Sequence, residues 1–97
     1  MEAALTHDEF ARQVNTKFKA ETDPNVELEL IEVSDLKVHP QQEEFTIVFR
    51  GPGNAFLEQG IRSLTHEQMG RFEIFLVPIR QDENGFYYEA VFNRIRE

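Results

Sequence analysis

The sequence predicts a mainly β protein: about six antiparallel strands curved into a small barrel or sandwich, with one short N-terminal helix packed on an open end or face. Three observations predict it. Apolar and polar residues alternate with period two along most of the chain after residue 15, as in strands with one buried face. Turn chemistry separates the alternating segments: "DPN" at 23–25, "RGPG" at 50–53 and "DENG" at 82–85. There proline presets its own φ, and Asn84 with Gly85 tolerates the positive φ of a tight hairpin. Nine phenylalanines in 97 residues supply bulky side chains for one core. A chain of this length makes a single domain, because either half alone would need disulfides or metal to hold together.

The helix comes first, over 7–14. Thr6 caps it, Glu9 reaches back three residues as in a capping box, and Phe10 and Val14 share a face at i and i+4. So short a helix is not stable alone and must lay that face on something apolar. The strands follow over 16–22, 25–33, 43–51, 60–65, 70–79 and 86–95. In the second, Val26, Leu28 and Leu30 alternate with Glu27 and Glu29, and the Leu30–Ile31 pair breaks the phase as a bulge would. The segment 35–42 is a polar loop, after which Phe45, Ile47 and Phe49 share one face. The last two strands are apolar on both faces. Phe72, Ile74 and Leu76 point one way, with Phe75 and Val77 opposite; Phe86, Tyr88, Ala90 and Phe92 point one way, with Tyr87 and Val91 opposite. Something must cover the second face: the helix in part, or a partner subunit.

Eighteen acidic against ten basic side chains give a net charge of −8, which repels phosphates and argues against nucleic-acid and anionic-membrane partners. Lys17, Lys19, Arg94 and Arg96 gather into a basic patch only if the first and last strands are neighbours; solvated, scattered charge is the preferred reading. The first ten residues lack the basic and apolar regions of a signal peptide, and no run approaches the ~20 apolar residues of a membrane span. With no cysteine, thiol chemistry and disulfides are out, and a cytoplasmic location is expected.

The motifs with chemical overtones each have a plainer reading. "RGPGNAFLEQG" at 50–60 has the glycines of a phosphate cradle. A phosphate loop, however, leads from a strand into a helix and carries a following Lys, whereas this one lies between two strand patterns. It is read as a turn that packs Phe56 and Leu57 back onto the strands. "HEQMG" begins like a zinc-peptidase motif, but position 70 is Gly where the second His is required. His66 is read as closing a turn, and His7, His39 and His66 have no ligand spacing. "DENG" lacks the later ligands of a calcium loop. Glu27 and Glu29 share a strand face at ~7 Å by strand rise, a spacing that a carboxylate dyad also uses, yet they point away from the core. Glu89, set in an apolar strand, is expected to pair with Arg71 or Arg80. No catalytic, cofactor or metal residue is therefore assigned.

"FRGP", "QG", "IFLVPI" and "YEAVFN" together resemble a family of short bacterial proteins known only as a domain of unknown function, over about 5–93. The resemblance implies no reaction. It aligns Arg50, Gly51, Pro52, Gln59, Gly60, His66 and Gly70, the runs 74–79 and 88–93, Asp82 and Gly85. Arg62 departs from it, standing where relatives carry an aromatic, as does Arg80, which stands where they carry glycine. The function expected first is a non-enzymatic interaction or assembly module that self-associates through Phe75, Val77, Tyr87 and Val91. Arg50, Gln59, His66 and Glu89 are the candidate polar site. The alternative is a small barrel holding an apolar or aromatic small molecule; a carboxylate-based hydrolase is the remote third.

Overall fold

A computed structural model describes residues 5–22 and 24–95. It is mainly β and antiparallel, with helix α1 (His7–Arg12) and strands β1 (Lys17–Ala20), β2 (Val26–Val33), β3 (Lys37–His39), β4 (Gln42–Gly51), β5 (Gly60–His66), β6 (Gly70–Asp82) and β7 (Gly85–Ile95). The sheet order is β2-β1-β5-β6-β7-β4-β3, and β2 also pairs with β4. Six strands thus close into a ring of hydrogen-bonded pairs, and β3 is added outside it as a hairpin with β4.

β3 is the seventh strand, formed within the segment read as a polar loop. Its three residues are all exposed, so it has no apolar alternation to betray it; backbone pairing with Gln42–Glu44 alone makes it a strand. The acid of "DPN", Asp23, lies outside the described residues, as do residues 1–4 of the leader reading and Arg96 of the basic patch. β1 pairs with β2 and β5, so Lys17 and Lys19 are not beside β7.

Inward positions follow the alternation. Phe18, Leu28, Leu30, Phe49, Leu64, Leu76 and Tyr88 are shut off from water in one cluster. The phase break at Leu30–Ile31 is a bulge, with Leu30 opposite Phe49 and Glu32 opposite Val48. A second bulge at Ile79 separates Pro78, paired with Tyr88, from Arg80, paired with Tyr87. Proline brings no N–H to the ladder, and the bulge swings Arg80 to the outer face.

The helix is shorter than 7–14. Thr6 Oγ1 accepts the Glu9 N–H at 3.2 Å, as a cap should, but the Glu9 carboxylate turns to Arg12 instead of back to Thr6. Gln13 closes the last turn onto Phe10 O, and Asn15 takes φ 72°, which ends the helix before Val14. Phe10 is fully buried, its ring against Phe72, Phe92 and Phe45. These are inward residues, so α1 closes one end of the ring rather than covering the outer face. It does so where a cover is needed. β6 meets β7 from Val77 onward, while residues 70–76 pair with β5 and 90–95 with β4.

The loop 52–59 turns the chain from β4 into β5. Its Leu57 is buried, and the Leu57 N–H donates to Tyr88 Oη at 2.9 Å. Phe56 lies half-exposed with its ring edge-on to Phe86. In the "DENG" hairpin the positive φ falls on Gly85 (135°) and not on Asn84; Asn84 is held instead by its N–H donating to Asp82 Oδ1 at 2.8 Å.

Candidate functional site

The outer face of the ring divides into an ion-paired half and an apolar half, and the register decides which residue falls in which. In the polar half, Arg80, Tyr87, Arg50, Glu29 and Lys17 line up across five strands, paired in turn through the β6–β7, β7–β4, β4–β2 and β2–β1 ladders. Arg80 stacks over the Tyr87 ring at 3.7 Å, and Tyr87 Oη donates to Asp82 at 2.9 Å. Arg50 Nη2 reaches Glu29 at 2.9 Å, and Lys17 Nζ reaches the same oxygen at 3.3 Å. Lys17, with Arg50 in support, holds the Glu29 carboxyl below the usual range, and the Asn84 N–H does the same for Asp82.

This changes the reading of one residue, Tyr87. Tyr87, expected in the apolar surface, is only 4% exposed, because the Ile79 bulge places Arg80 on top of it. Glu27 and Glu29 do face outward together, but Lys17 sits against both. A depressed carboxyl is the opposite of what a general acid needs.

In the apolar half, Ile61 on β5 sits directly opposite Phe75 on β6. Val91 lies two residues beyond Glu89 on the same outward side of β7, where that strand pairs with β4, opposite Thr46, and no longer with β6. Ile61 is 70% exposed, Phe75 47% and Val91 61%; Val77 is half-buried. Ile61 was missed because its strand reads as weak and polar, and only pairing with Phe75 brings it into the row. Glu89 stands between Val77 and Val48. Its expected partners are engaged elsewhere, Arg71 with Glu21 at 3.1 Å and Arg80 with Asp82, and among the described residues no cation lies within ion-pair distance of it.

The polar candidates do not converge. Arg50 belongs to the ion-paired row, Gln59 lies exposed in the loop before β5, and His66 is buried at the other end of that strand. His66 does close the β5–β6 turn, as expected: Nδ1 accepts the N–H groups of Gln68 (3.0 Å) and Met69 (3.1 Å). The proton therefore sits on Nε2, which donates to Thr16 Oγ1 at 2.9 Å, and the Thr16 hydroxyl in turn donates to Gln13 O at 2.7 Å. The imidazole lies over Phe18 at 4.2 Å. His7 is far from it in the chain, donating to Ser34 O, and among the described residues no three His, Asp or Glu side chains gather as metal ligands.

Burial pushes the His66 pKa down from its ordinary 6.5. The unfolded chain then binds this proton more readily than the native one, so the histidine's contribution is full above ~6.5 and drains away as the pH falls from there toward the lower native value. The paired carboxylates Glu21, Glu29 and Asp82 are also held below their ordinary values, and their contribution is lost only below ~4.5. The urea midpoint is expected to fall between pH 7.5 and 5.5 in the native chain and to stay nearly level in His66→Gln. Equal slopes in both would remove this role.

A family described as Domain of unknown function (DUF6916) matches residues 5–92. The chain belongs to DUF6916. The match runs from the cap of α1 into β7, so the ring, its closing helix and the 52–59 loop are all DUF6916 structure. No curated protein and no solved structure matches the chain. Among the described residues no helix is long and apolar enough to cross a membrane.

Proposed function

We propose that the protein is an interaction module that associates with a second copy of itself through the outer face around Ile61, Phe75 and Val91. The observation that supports this reading is the row itself. Single exposed apolar side chains are ordinary, but Ile61 and Phe75 are directly paired across β5 and β6, and Val91 faces the same outward side of β7 just beyond the point where β6 and β7 part. Ile95, beyond Asn93 on the same face of β7, is the most exposed large apolar residue described. α1 is spent on the interior and leaves the strip uncovered. Tyr87, screened by Arg80, marks its boundary.

A second copy suits this strip because the same apolar row meets itself across a two-fold axis, as closed homodimers require. The net charge of −8 opposes that approach, so association is expected to strengthen as salt screens the repulsion. Sedimentation of the native chain across micromolar concentrations is expected to show reversible association, stronger at high salt. Phe75→Lys is expected to sediment as a monomer while keeping its stability within ~0.5 kcal/mol, since the side chain it removes is half in water. A native chain that stays monomeric at every concentration and salt level would overturn the reading.

A further inference from the structure

At the end of the ring away from α1, Arg62 occupies an inward position. β5 alternates, and the residues in phase with Arg62 are the buried Leu64 and His66. A cation on the inward side of a ring of strands needs compensation, and here it finds little. Arg62 Nη2 donates to the main-chain carbonyl of Glu58 at 2.6 Å. Nε is shut off from water and has no acceptor. Among the described residues no carboxylate lies within 4 Å of the guanidinium, and Glu58 meets it through its backbone, not its side chain.

Arg62 also lines a groove of about 450 Å³ between the β1–β2 turn and the 52–59 loop. Pro24, Val26, Ala55, Phe56 and Leu57 give it an apolar side, and Thr22 and Glu58 line it as well. Phe56 is half-exposed there, with one edge fixed against Phe86. Ligand sites favour this arrangement, a mouth between strands with apolar walls and one well-placed polar group.

We propose that this groove binds a small apolar or aromatic carboxylic acid, its carboxylate on the Arg62 guanidinium and its hydrocarbon part against Val26, Ala55 and Phe56. Arginine presents N–H donors that match the oxygens of a carboxylate; with Nε shut off from water, the terminal nitrogens are the ones a ligand in the groove would meet. The walls leave room for hydrocarbon and supply no second cation, which selects a monoanion over a phosphate or a dicarboxylate. The chain's overall negative charge adds to that preference. Arg62 follows Ile61 in β5 but faces the other side of the sheet, so the site and the strip lie on opposite faces and the two proposals stand or fall separately.

The test is an amide ¹H–¹⁵N titration with 3-phenylpropionate, and in parallel with its uncharged amide and with hexanoate. Saturable shifts are expected at residues 55–58 and 62 with both acids. The amide is expected to bind at least about tenfold more weakly, since it offers no charge to the guanidinium. Arg62→Gln is expected to lose a similar factor, Arg62→Lys to recover part of it through charge without the paired donors, and Phe56→Ala to weaken both acids. Phe75→Lys, on the opposite face, is expected to bind as the native chain does. The proposal is overturned if the acids give no saturable shift up to about 10 mM, beyond the range in which one ion pair with modest apolar burial would be seen. It is equally overturned if acid and amide bind alike in the native chain, a comparison that does not depend on any variant folding.

Discussion

Gly85→Ala is expected to cost about 3–5 kcal/mol of stability, lowering the melting temperature by ~15 °C or more. Two independent effects converge on this position. Gly85 has φ 135°, a backbone conformation that side-chain-bearing residues rarely adopt. A Cβ there would also lie 1.9 Å from Gly51 O and 3.1 Å from its carbonyl carbon. Those atoms are main chain at the β4–β7 junction, where Gly51 pairs with Phe86, so no rotamer change relieves the overlap. One of the strands must move, and this end of the ring moves with it. Gly53 is the control. A Cβ at Gly53 meets only Gly85 Cα at 3.8 Å, an ordinary contact, and Gly53→Ala is expected to stay within ~0.5 kcal/mol of the native chain. Thermal and urea unfolding of the two variants side by side decide the point; a Gly85→Ala protein as stable as Gly53→Ala would mean that the junction is far more pliant than its geometry.

Phe10→Ala, at the opposite end, is expected to cost about 3–5 kcal/mol. Phe10 is fully buried and meets Phe72 at 5.9 Å and Phe92 at 5.3 Å, ring centre to ring centre. It is the one buried residue of the six-residue helix α1, and so short a helix has no stability apart from its docking. The cost therefore has two parts: the void left among three rings, and the release of the segment that closes the gap between the early half of β6 and the late half of β7. The second part has its own signature. Amide exchange is expected to quicken in 70–76 and 90–95, whose mutual pairing has not begun, more than in the β4–β7 ladder between 86 and 89. Uniform acceleration across the ring would show that α1 contributes only general stability.

Much of this architecture was legible in the residues because strand alternation and turn chemistry are local. Phe45, Ile47 and Phe49, or Phe72, Ile74 and Leu76, point inward on period two alone, and "RGPG" turns the chain because no helix and no lysine follow it. The Leu30–Ile31 bulge was visible too, as a break in alternation. β3 was not visible, because a strand of exposed residues leaves no apolar trace.

The candidate surfaces were legible only in part. Phe75 and Val91 face outward on alternation alone, but Tyr87 was misplaced because the bulge at Ile79 changes what lies over it, and a local pattern cannot report a neighbour on another strand. Glu89 lost its expected arginines for the same reason: Arg71 and Arg80 had closer carboxylates across other ladders. Arg62 stood out in the sequence only as a departure from the family resemblance, where relatives carry an aromatic. Its inward position, its unpartnered Nε and the groove beside it exist only once β5 is in register with β6 and the 52–59 loop has folded back.

The sequence by itself determined the class of this protein, an antiparallel β domain with an apolar interior, because burial of alternate side chains is a property of each strand taken singly. Only the tertiary structure decided which charges neutralise one another, which apolar residues stay in water and where a cation is left uncompensated. Those outcomes depend on register between strands distant in sequence, and a shift of one residue at a bulge is enough to reassign them.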